Sequence, residues 1–431
     1  DETLAWLRRL VEAAPQLSML SLGQSPQGRE LWMVLATKEG ASDAEELQAN
    51  GRPTVFVQAG IHSGEIDGKD AGMMLLRDMT VLGVKRDLLE GANLLFVPIL
   101  SLDAHERSSP YHRINQRGPR HMGWRTNARN LNLNRDYAKL DTPELRALVR
   151  ALDRFDPDLY VDVHVTDGAD YQADITFGWN TPGSWSPSIT RWMDERLQPA
   201  LDADLLAMGH RPDRLLFLVD GRDPDRGLWG WTAPPRFSNG YGDVRHLPTV
   251  LVENHSLKPF RQRVLGTYVF LESAMRTVAE HAADLRAAIA ADRSLRQDPL
   301  PLDWASPPEE QWPLVLHRGM GSELIHSEIS GDDEIRWTGE PYERGIPYLV
   351  TDVPIHLTDR PEAYVIPAEW SDLAERMRLH GIRMTRIDEW TEMEVELLRL
   401  ADFELGTEAY EGHVRVTPGE IGVERTTRRF A

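Results

Sequence analysis

The chain has 431 residues, 41% hydrophobic and 27% charged, which is enough for one large core or for two to three domains. Its 48 Lys and Arg against 68 Asp and Glu leave a formal charge of -20, which counts against nucleic-acid and anionic-membrane partners. The absence of cysteine excludes thiol nucleophiles, disulfides and Cys-ligated metal sites. Any metal must therefore bind to His, Asp or Glu side chains.

The apolar runs of the chain are short. The longest, at 53–61 and 93–100, fall well below the roughly 20 residues that a membrane-spanning helix requires, so we expect no stable membrane insertion. The chain begins at Asp1 rather than Met, which indicates that a leading segment was removed, by signal-peptide processing or by design. We therefore expect a periplasmic or secreted protein, while a cytoplasmic location and the oligomeric state stay open.

The first two thirds of the sequence alternates short buried strands with helices. A helix is predicted over Glu2–Ala13, and a hairpin follows around the turn-rich segment 23–28. Nearly continuous apolar runs then predict buried strands, and the segments between some of these runs have the apolar spacing of helices. This pattern predicts an α/β fold with a mixed, mostly parallel central sheet flanked by helices. The predicted strands are Thr54–Ala59, 93–99, Leu159–Val165 and 249–252, and the helices include Asp67–Met79 and 142–155.

Proline density marks a boundary late in the chain. A long helical pattern over 261–292 is followed by a proline-rich stretch, and beyond it most of the segments look like strands. We predict a catalytic domain at 1–292, a linker at 293–310 and a smaller β-rich domain at 311–431. The sequence stops inside a strand-like segment, which leaves open whether this last unit is complete.

Two histidine motifs stand at predicted strand ends. His62-Ser-Gly-Glu65 follows the strand at Thr54–Ala59, and its small middle residues would let two side chains converge on one point. Asp162-Val-His164 ends the next strand but one, and alternation puts both polar residues on the same face. Such a buried polar row requires pairing or a metal. Taken singly, each motif is equally compatible with a hydrogen-bonded core or surface histidine.

Two further segments carry polar residues in unusual density. The segment 124–137 holds four asparagines and three arginines, and the planar guanidinium suits bidentate capture of a carboxylate. Glu253 ends an apolar strand, where a partly desolvated carboxylate next to a metal-bound water can act as a general base. Taken alone, these segments would be a surface loop and an ordinary charge at a strand end.

The motifs together resemble the zinc carboxypeptidases of the carboxypeptidase A/B type over about residues 2–292, including the early hairpin. The resemblance implies one zinc ion on His62, Glu65 and His164, with water in the fourth position. The positions that carry the resemblance are, in chain order, His62, Glu65, Arg125, Asn134, Arg135, His164 and Glu253.

The resemblance also implies roles for the remaining positions. Glu253 would be the general base and acid, and Arg125 would polarise the scissile carbonyl. Asn134 and Arg135 would bind the terminal carboxylate of the substrate. Tyr241, twelve residues before Glu253, is the candidate for the family's mobile tyrosine, although the usual spacing is longer.

The sequence departs from the family in two other places. Asn132 stands where the digestive members carry an aspartate that supports a zinc-bound histidine. The region after about residue 292 has no counterpart in those enzymes and resembles β-rich domains appended in some bacterial members. We also expect side-chain selection by the region 179–241, where Arg236, Ser238, Asn239 and Asp243 are candidates.

These features predict a metallocarboxypeptidase that hydrolyses the C-terminal bond of peptides with a free terminal carboxylate. An alternative keeps the zinc chemistry in an amidase or deacylase acting on cell-wall peptides or N-acyl amino acids. A third hypothesis is a binding module without catalysis, and the presence of every ligand and of Glu253 argues against it. The preferred terminal residue cannot be read from the sequence.

Overall fold

The centre of the fold is a mixed sheet built from the short apolar runs of the sequence. The computed structural model describes residues 2–166, 168–181 and 183–430, and within these ranges eight strands form the sheet in the order β1-β2-β4-β3-β5-β9-β6-β7. The pairs β3/β4, β3/β5, β5/β9 and β6/β7 are parallel, and the others are antiparallel. The predicted fold class is confirmed. The strands of this part are β1 (Leu17–Gln24), β2 (Glu30–Ala36), β3 (Thr54–Ala59), β4 (Asn93–Val97), β5 (Leu159–Val165), β6 (Ile175–Gly178), β7 (Pro212–Arg214), β8 (Leu228–Gly230) and β9 (Thr249–Asn254).

Helices cover both faces of this sheet. They are α1 (Glu2–Ala13), α2 (Ala44–Ala49), α3 (Asp67–Met79), α4 (Asp87–Gly91), α5 (Leu102–Glu106), α6 (Pro143–Phe155), α7 (Pro187–Trp192), α8 (Gln198–Ala207), α9 (Ser238–Val244), α10 (Phe260–Glu280) and α11 (Ala282–Ser294). The long helical pattern at 261–292 thus forms two helices. In the described ranges, no helix combines the length and the apolar character needed to cross a membrane.

Alternation along the strands divides the core in two. Val55 and Val57 of β3 face one cluster, which α3 and α10 cover, whereas Phe56 faces the other, which α2 and α6 cover. Gly72 lets α3 approach the sheet closely, because a Cβ there would lie 2.4 Å from the ring of Phe96. The sheet is therefore buried on both sides. The polar residues at the carboxyl ends of the parallel strands β3, β5 and β9 lie together at one edge of it.

The last third of the chain is β-rich, as predicted. Its strands are β10 (Leu300–Ala305), β11 (Leu314–His326), β12 (Asp333–Val350), β13 (Val353–Thr358), β14 (Thr391–Leu400), β15 (Phe403–Tyr410), β16 (His413–Pro418) and β17 (Ile421–Phe430), with one helix, α12 (Ser371–Leu379). The strands pair as antiparallel couples, and β12 also pairs in parallel with β8.

The proline-rich segment 293–310 is more ordered than the expected linker. Residues Leu300–Ala305 form β10, which pairs with β13. Trp304 of this strand packs edge-on against Trp185, with ring centroids 4.4 Å apart, and Nε1 of Trp185 donates to the carbonyl of Pro301. Aromatic packing therefore fixes this segment to the larger unit. The division at 292 and 310 stays a prediction.

Glu144 is a buried carboxyl in the first turn of α6. Its exposed fraction is 0%, and Asn127 donates weakly to it at 3.4 Å. Burial raises the pKa of Glu144 to about 7, although hydrogen bonds from the backbone and Asn127 oppose the shift. The folded protein therefore holds a proton that the unfolded chain releases near pH 4.5.

A Glu144→Gln variant should become more stable than the wild type as the pH rises. The raised pKa stabilises the folded wild type below about pH 4.5, and this contribution is lost as the pH rises through about 7. At pH 8 we expect the variant to gain up to about 3 kcal/mol in free energy of unfolding, and less than about 1 kcal/mol at pH 5. Urea unfolding at both pH values measures this. Glu45→Gln, at the exposed first turn of α2, is the control; identical pH dependence in all three proteins would contradict the prediction.

Candidate metal centre and catalytic site

Three candidate ligands meet at the carboxyl ends of β3 and β5. After β3, Gly60 turns the chain with φ +64, close against the backbone of Ile99, and brings His62 and Glu65 back over the sheet edge. His164 is the penultimate residue of β5. Ligand atoms of the three side chains lie within 4.8 Å of one another, and all three residues are at most 3% exposed. The structure thus brings together the predicted metal ligands.

Both imidazoles turn the same nitrogen towards Glu65. Nδ1 of His62 lies 3.1 Å from Oε1, and Nδ1 of His164 lies 2.9 Å from Oε2. On the far side, Nε2 of His62 lies 2.9 Å from Oδ1 of Asn132, and Nε2 of His164 lies 2.8 Å from Oδ2 of Asp162. With Asn132 and Asp162 as acceptors at Nε2, each imidazole in its neutral form has its Nδ1 lone pair facing the centre of the cluster. This donor set of two imidazoles and one carboxylate fits zinc.

The electrostatics of the cluster favour a cation between its members. Burial lowers the pKa of His62. Burial opposes ionisation of Glu65, but Arg113 and His62 outweigh it and hold the pKa of that carboxyl well below its usual range. Burial likewise opposes the charged form of His164, yet Asp162 beside it raises the pKa of His164 well above its usual range. Positive charge is therefore stabilised between Glu65 and Asp162.

Arg113 is a residue of the site that sequence reasoning missed. Its Nη1 donates to Oε1 of Glu65 at 2.8 Å, and its Nη2 donates to the carbonyls of Val165 and Thr166 at 3.0 and 3.1 Å. Gly64 leaves room for it, since a Cβ there would lie 2.4 Å from Cδ of Arg113. The arginine comes from an irregular loop, where no periodic pattern could have identified it.

Arg125 and Glu253 lie beside the cluster. Nη1 of Arg125 is 3.4 Å from Nδ1 of His62 and 3.7 Å from Oε1 of Glu65, and 40% of its side chain is exposed. Glu253 is half-buried on β9, directly opposite His164 in the parallel pairing with β5. Paired residues of neighbouring strands project from the same face, so Glu253 and His164 leave the sheet on the same side. Both residues thus reach the edge at which the ligands converge.

Asn134 and Arg135 lie next to the cluster on a short turn. Nδ2 of Asn134 is 3.3 Å from Nε2 of His164, and its Oδ1 accepts from the backbone N–H of Ser238 at 3.2 Å. The guanidinium of Arg135 stacks on Phe237, 4.4 Å from the ring centroid. Burial lowers the pKa of Arg135, and the nearby Glu411 opposes this shift. The turn therefore presents a cation close to the metal centre.

Tyr241 is not brought to the cluster. It is 4% exposed and packs against Tyr137, and its hydroxyl oxygen lies 3.1 Å from Nδ1 of His380, just beyond α12. Burial raises its pKa to about 12. Tyr241 therefore helps to join α9 to the C-terminal part of the chain, and the geometry gives its expected substrate-binding role no support.

The candidates for side-chain selection also occupy different environments. Asp243 is buried and accepts from Nδ2 of Asn180 at 2.9 Å, and Asn239 lies next to the same amide. The backbone N–H of Ser238 donates to Oδ1 of Asn134. The guanidinium carbon of Arg236 lies 5.2 Å from the ring centroid of Tyr410. Asp243 and Asn239 thus act within the local packing, whereas Arg236 lies near the C-terminal strands.

Comparisons with known proteins find similarity to carboxypeptidases. Residues 3–169 match the family model described as zinc carboxypeptidase, a range that contains the three candidate ligands, Arg125, Asn134 and Arg135 but not Glu253. Carboxypeptidase 2 of Trichophyton rubrum is 23% identical over 99% of this chain and 77% of its own length, and that of Trichophyton tonsurans is 22% identical over the same shares. Among solved structures, a metallo-carboxypeptidase from Burkholderia cenocepacia aligns over 64% of this chain and 67% of its own, with 16% identity and a TM-score of 0.47.

An Asp162→Asn variant should bind zinc more weakly. The substitution keeps the shape of the side chain but removes the charge that orients His164, so we expect a loss of about 10- to 100-fold in affinity. Competition with a chromogenic chelator measures it. Asp174→Asn is the matched control, because Asp174 forms a buried pair with Nδ1 of His210 at 2.8 Å outside the cluster. Equal losses of affinity in both variants would contradict the role of Asp162.

Proposed function

We propose that this chain is a zinc carboxypeptidase, which removes C-terminal amino acids from peptides with one zinc ion held by His62, Glu65 and His164. The match of residues 3–169 to the zinc carboxypeptidase family model supports this proposal, as does the clustering of the three candidate ligands. One observation carries the proposal: the Nδ1 atoms of two imidazoles converge on a buried carboxylate. Glu253 stands beside them on the next strand. This arrangement combines a metal site with a neighbouring base, as peptide hydrolysis requires.

The chemistry divides between the metal and the side chains around it. Zinc bound there would supply Lewis acidity and would lower the pKa of a bound water to about 7. Glu253 accepts the proton of the attacking water and returns it to the leaving amine. The partly exposed guanidinium of Arg125 stabilises the negative charge that develops on the scissile carbonyl oxygen, a contribution of about 3–4 kcal/mol for one such donor in other enzymes.

Arg135 and Asn134 supply the preference for a chain terminus. A guanidinium binds a terminal carboxylate through two parallel hydrogen bonds, and the middle of a peptide offers no such partner. Asn134 lies between His164 and α9, so it is placed to orient the bound end of the substrate.

A panel of substrates tests the proposal. Zinc-loaded protein is incubated with short peptides that differ in their terminal residue, with the same peptides carrying a C-terminal amide, and with N-acyl amino acids. We expect release of free terminal amino acids from the unmodified peptides and slow or no cleavage of the amides. Cleavage of N-acyl amino acids alone would instead support the amidase or deacylase.

Glu253→Gln should abolish turnover while zinc stays bound. The amide cannot accept the water proton, so we expect kcat to fall by at least 100-fold. Zinc content by elemental analysis should match the wild type, because Glu253 is not among the clustered ligands. Glu328→Gln, at an exposed position, is the control and should keep full activity. Retained hydrolysis in the Glu253 variant would refute the role assigned to this residue.

A further inference from the structure

The turn between β15 and β16 reaches the catalytic unit. It consists of Glu411 and Gly412, with φ +50 and +84, which is the backbone sign pattern of a tight two-residue hairpin. Gly412 lies against Leu131, since a Cβ at this glycine would be 2.6 Å from Cδ2 of that leucine. Nε2 of His413 lies 3.0 Å from Oδ2 of Asp141. Contacts on both sides thus hold the turn against the segment that carries Arg135.

The tip of this turn places a carboxylate on Arg135. Oε1 of Glu411 lies 3.4 Å from Nε of Arg135, and the two side chains are only 24% and 18% exposed. Nη1 of Arg135 donates to the carbonyl of Asn134 at 2.8 Å, and its plane rests on Phe237. The arginine is therefore held rigidly, and the group facing its Nε is a carboxylate from another part of the same chain.

The backbone conformation of Glu411 is one that glutamate rarely adopts. A positive φ is unfavourable for a residue with a Cβ, and turns of this type prefer Asn, Asp or Gly at the first position. Glutamate is longer than any of these, and here its length allows the carboxylate to reach the guanidinium. The contact with Arg135 offsets part of the conformational cost of the turn.

We propose that Glu411 weakens the binding of carboxylate-terminated substrates by competing with their terminal carboxylate for Arg135. The inference rests on the proposed function, which gives Arg135 its partner. A substrate binds fully only when its own carboxylate displaces Glu411, and the turn then moves off the guanidinium. Glu411 thereby raises KM for ligands whose binding depends on Arg135 and leaves the binding of other ligands unchanged.

The geometry makes this displacement feasible. A single contact at 3.4 Å is longer than the 2.7–2.9 Å typical of charge-assisted hydrogen bonds, so Glu411 does not saturate the guanidinium. A terminal carboxylate with two parallel hydrogen bonds would bind better. In the state in which Glu411 occupies Arg135, the substrate cannot bind fully. The apparent affinity for substrate is therefore the intrinsic affinity multiplied by the fraction of protein in which Arg135 is accessible. For a partly exposed ion pair we expect about a threefold to tenfold effect.

Steady-state kinetics of the zinc-loaded full chain test the proposal. Glu411→Gln keeps the size of the side chain and removes its charge. We expect KM for an unmodified peptide to fall by about threefold to tenfold with kcat changed less than twofold, while the C-terminal amide of that peptide is unaffected. Glu408→Gln, an exposed glutamate of the same hairpin, is the matched control and should behave as the wild type. In an Arg135→Gln background the effect of Glu411→Gln should vanish.

The other outcomes separate the two hypotheses. If Arg135→Gln raises KM but Glu411→Gln does not change it, the competition is refuted and the proposed function stands. If Glu411→Gln raises KM, the carboxylate contacts the substrate favourably and the inference is wrong. If Arg135→Gln leaves KM unchanged, the role of Arg135 as carboxylate binder fails, and the inference fails with it.

Discussion

The convergence of His62 and His164 on the Glu65 carboxylate is the constraint on which the site depends. Three groups that prefer water are nearly completely buried there, which is costly unless each is paired. The parallel register of β3, β5 and β9 supplies the geometry, because the carboxyl ends of the three strands lie at the same edge of the sheet. A shift of one residue in β5 would turn His164 to the opposite face and remove the cluster.

A surrounding layer of polar contacts makes this burial tolerable. Arg113 compensates the charge of Glu65, and Asn132 and Asp162 each hold one imidazole by its outer nitrogen. The two histidines are held unequally, since one partner is a neutral amide and the other a carboxylate. The carboxylate makes His164 the more basic imidazole. The site is therefore asymmetric before any ligand binds.

The C-terminal region contacts the larger unit at several points. The region around α12 reaches Tyr241 through His380 and Asp141 through Arg376, and the β15–β16 turn reaches Arg135. Asp141 also meets His413, so one acidic residue anchors two parts of the C-terminal region. The last third of the chain thus pairs its own strands and also contributes side chains next to the site.

The sequence by itself determined six of the eight strands of the sheet, the longer helices and the three candidate ligands, because short apolar runs, helical spacing and strand-end motifs are local signals. The same reasoning predicted Glu253 at the end of a strand, and in the structure this residue pairs with His164 of the neighbouring strand. Only the tertiary structure decided the position of Arg113, which comes from an aperiodic loop, and of Glu411, which is distant in sequence from Arg135. It also decided the contacts of Tyr241, because the spacing between Tyr241 and Glu253 in the sequence does not determine the direction in which α9 points the tyrosine ring. Local patterns determine elements, whereas packing between elements that are far apart in the chain determines which side chains meet.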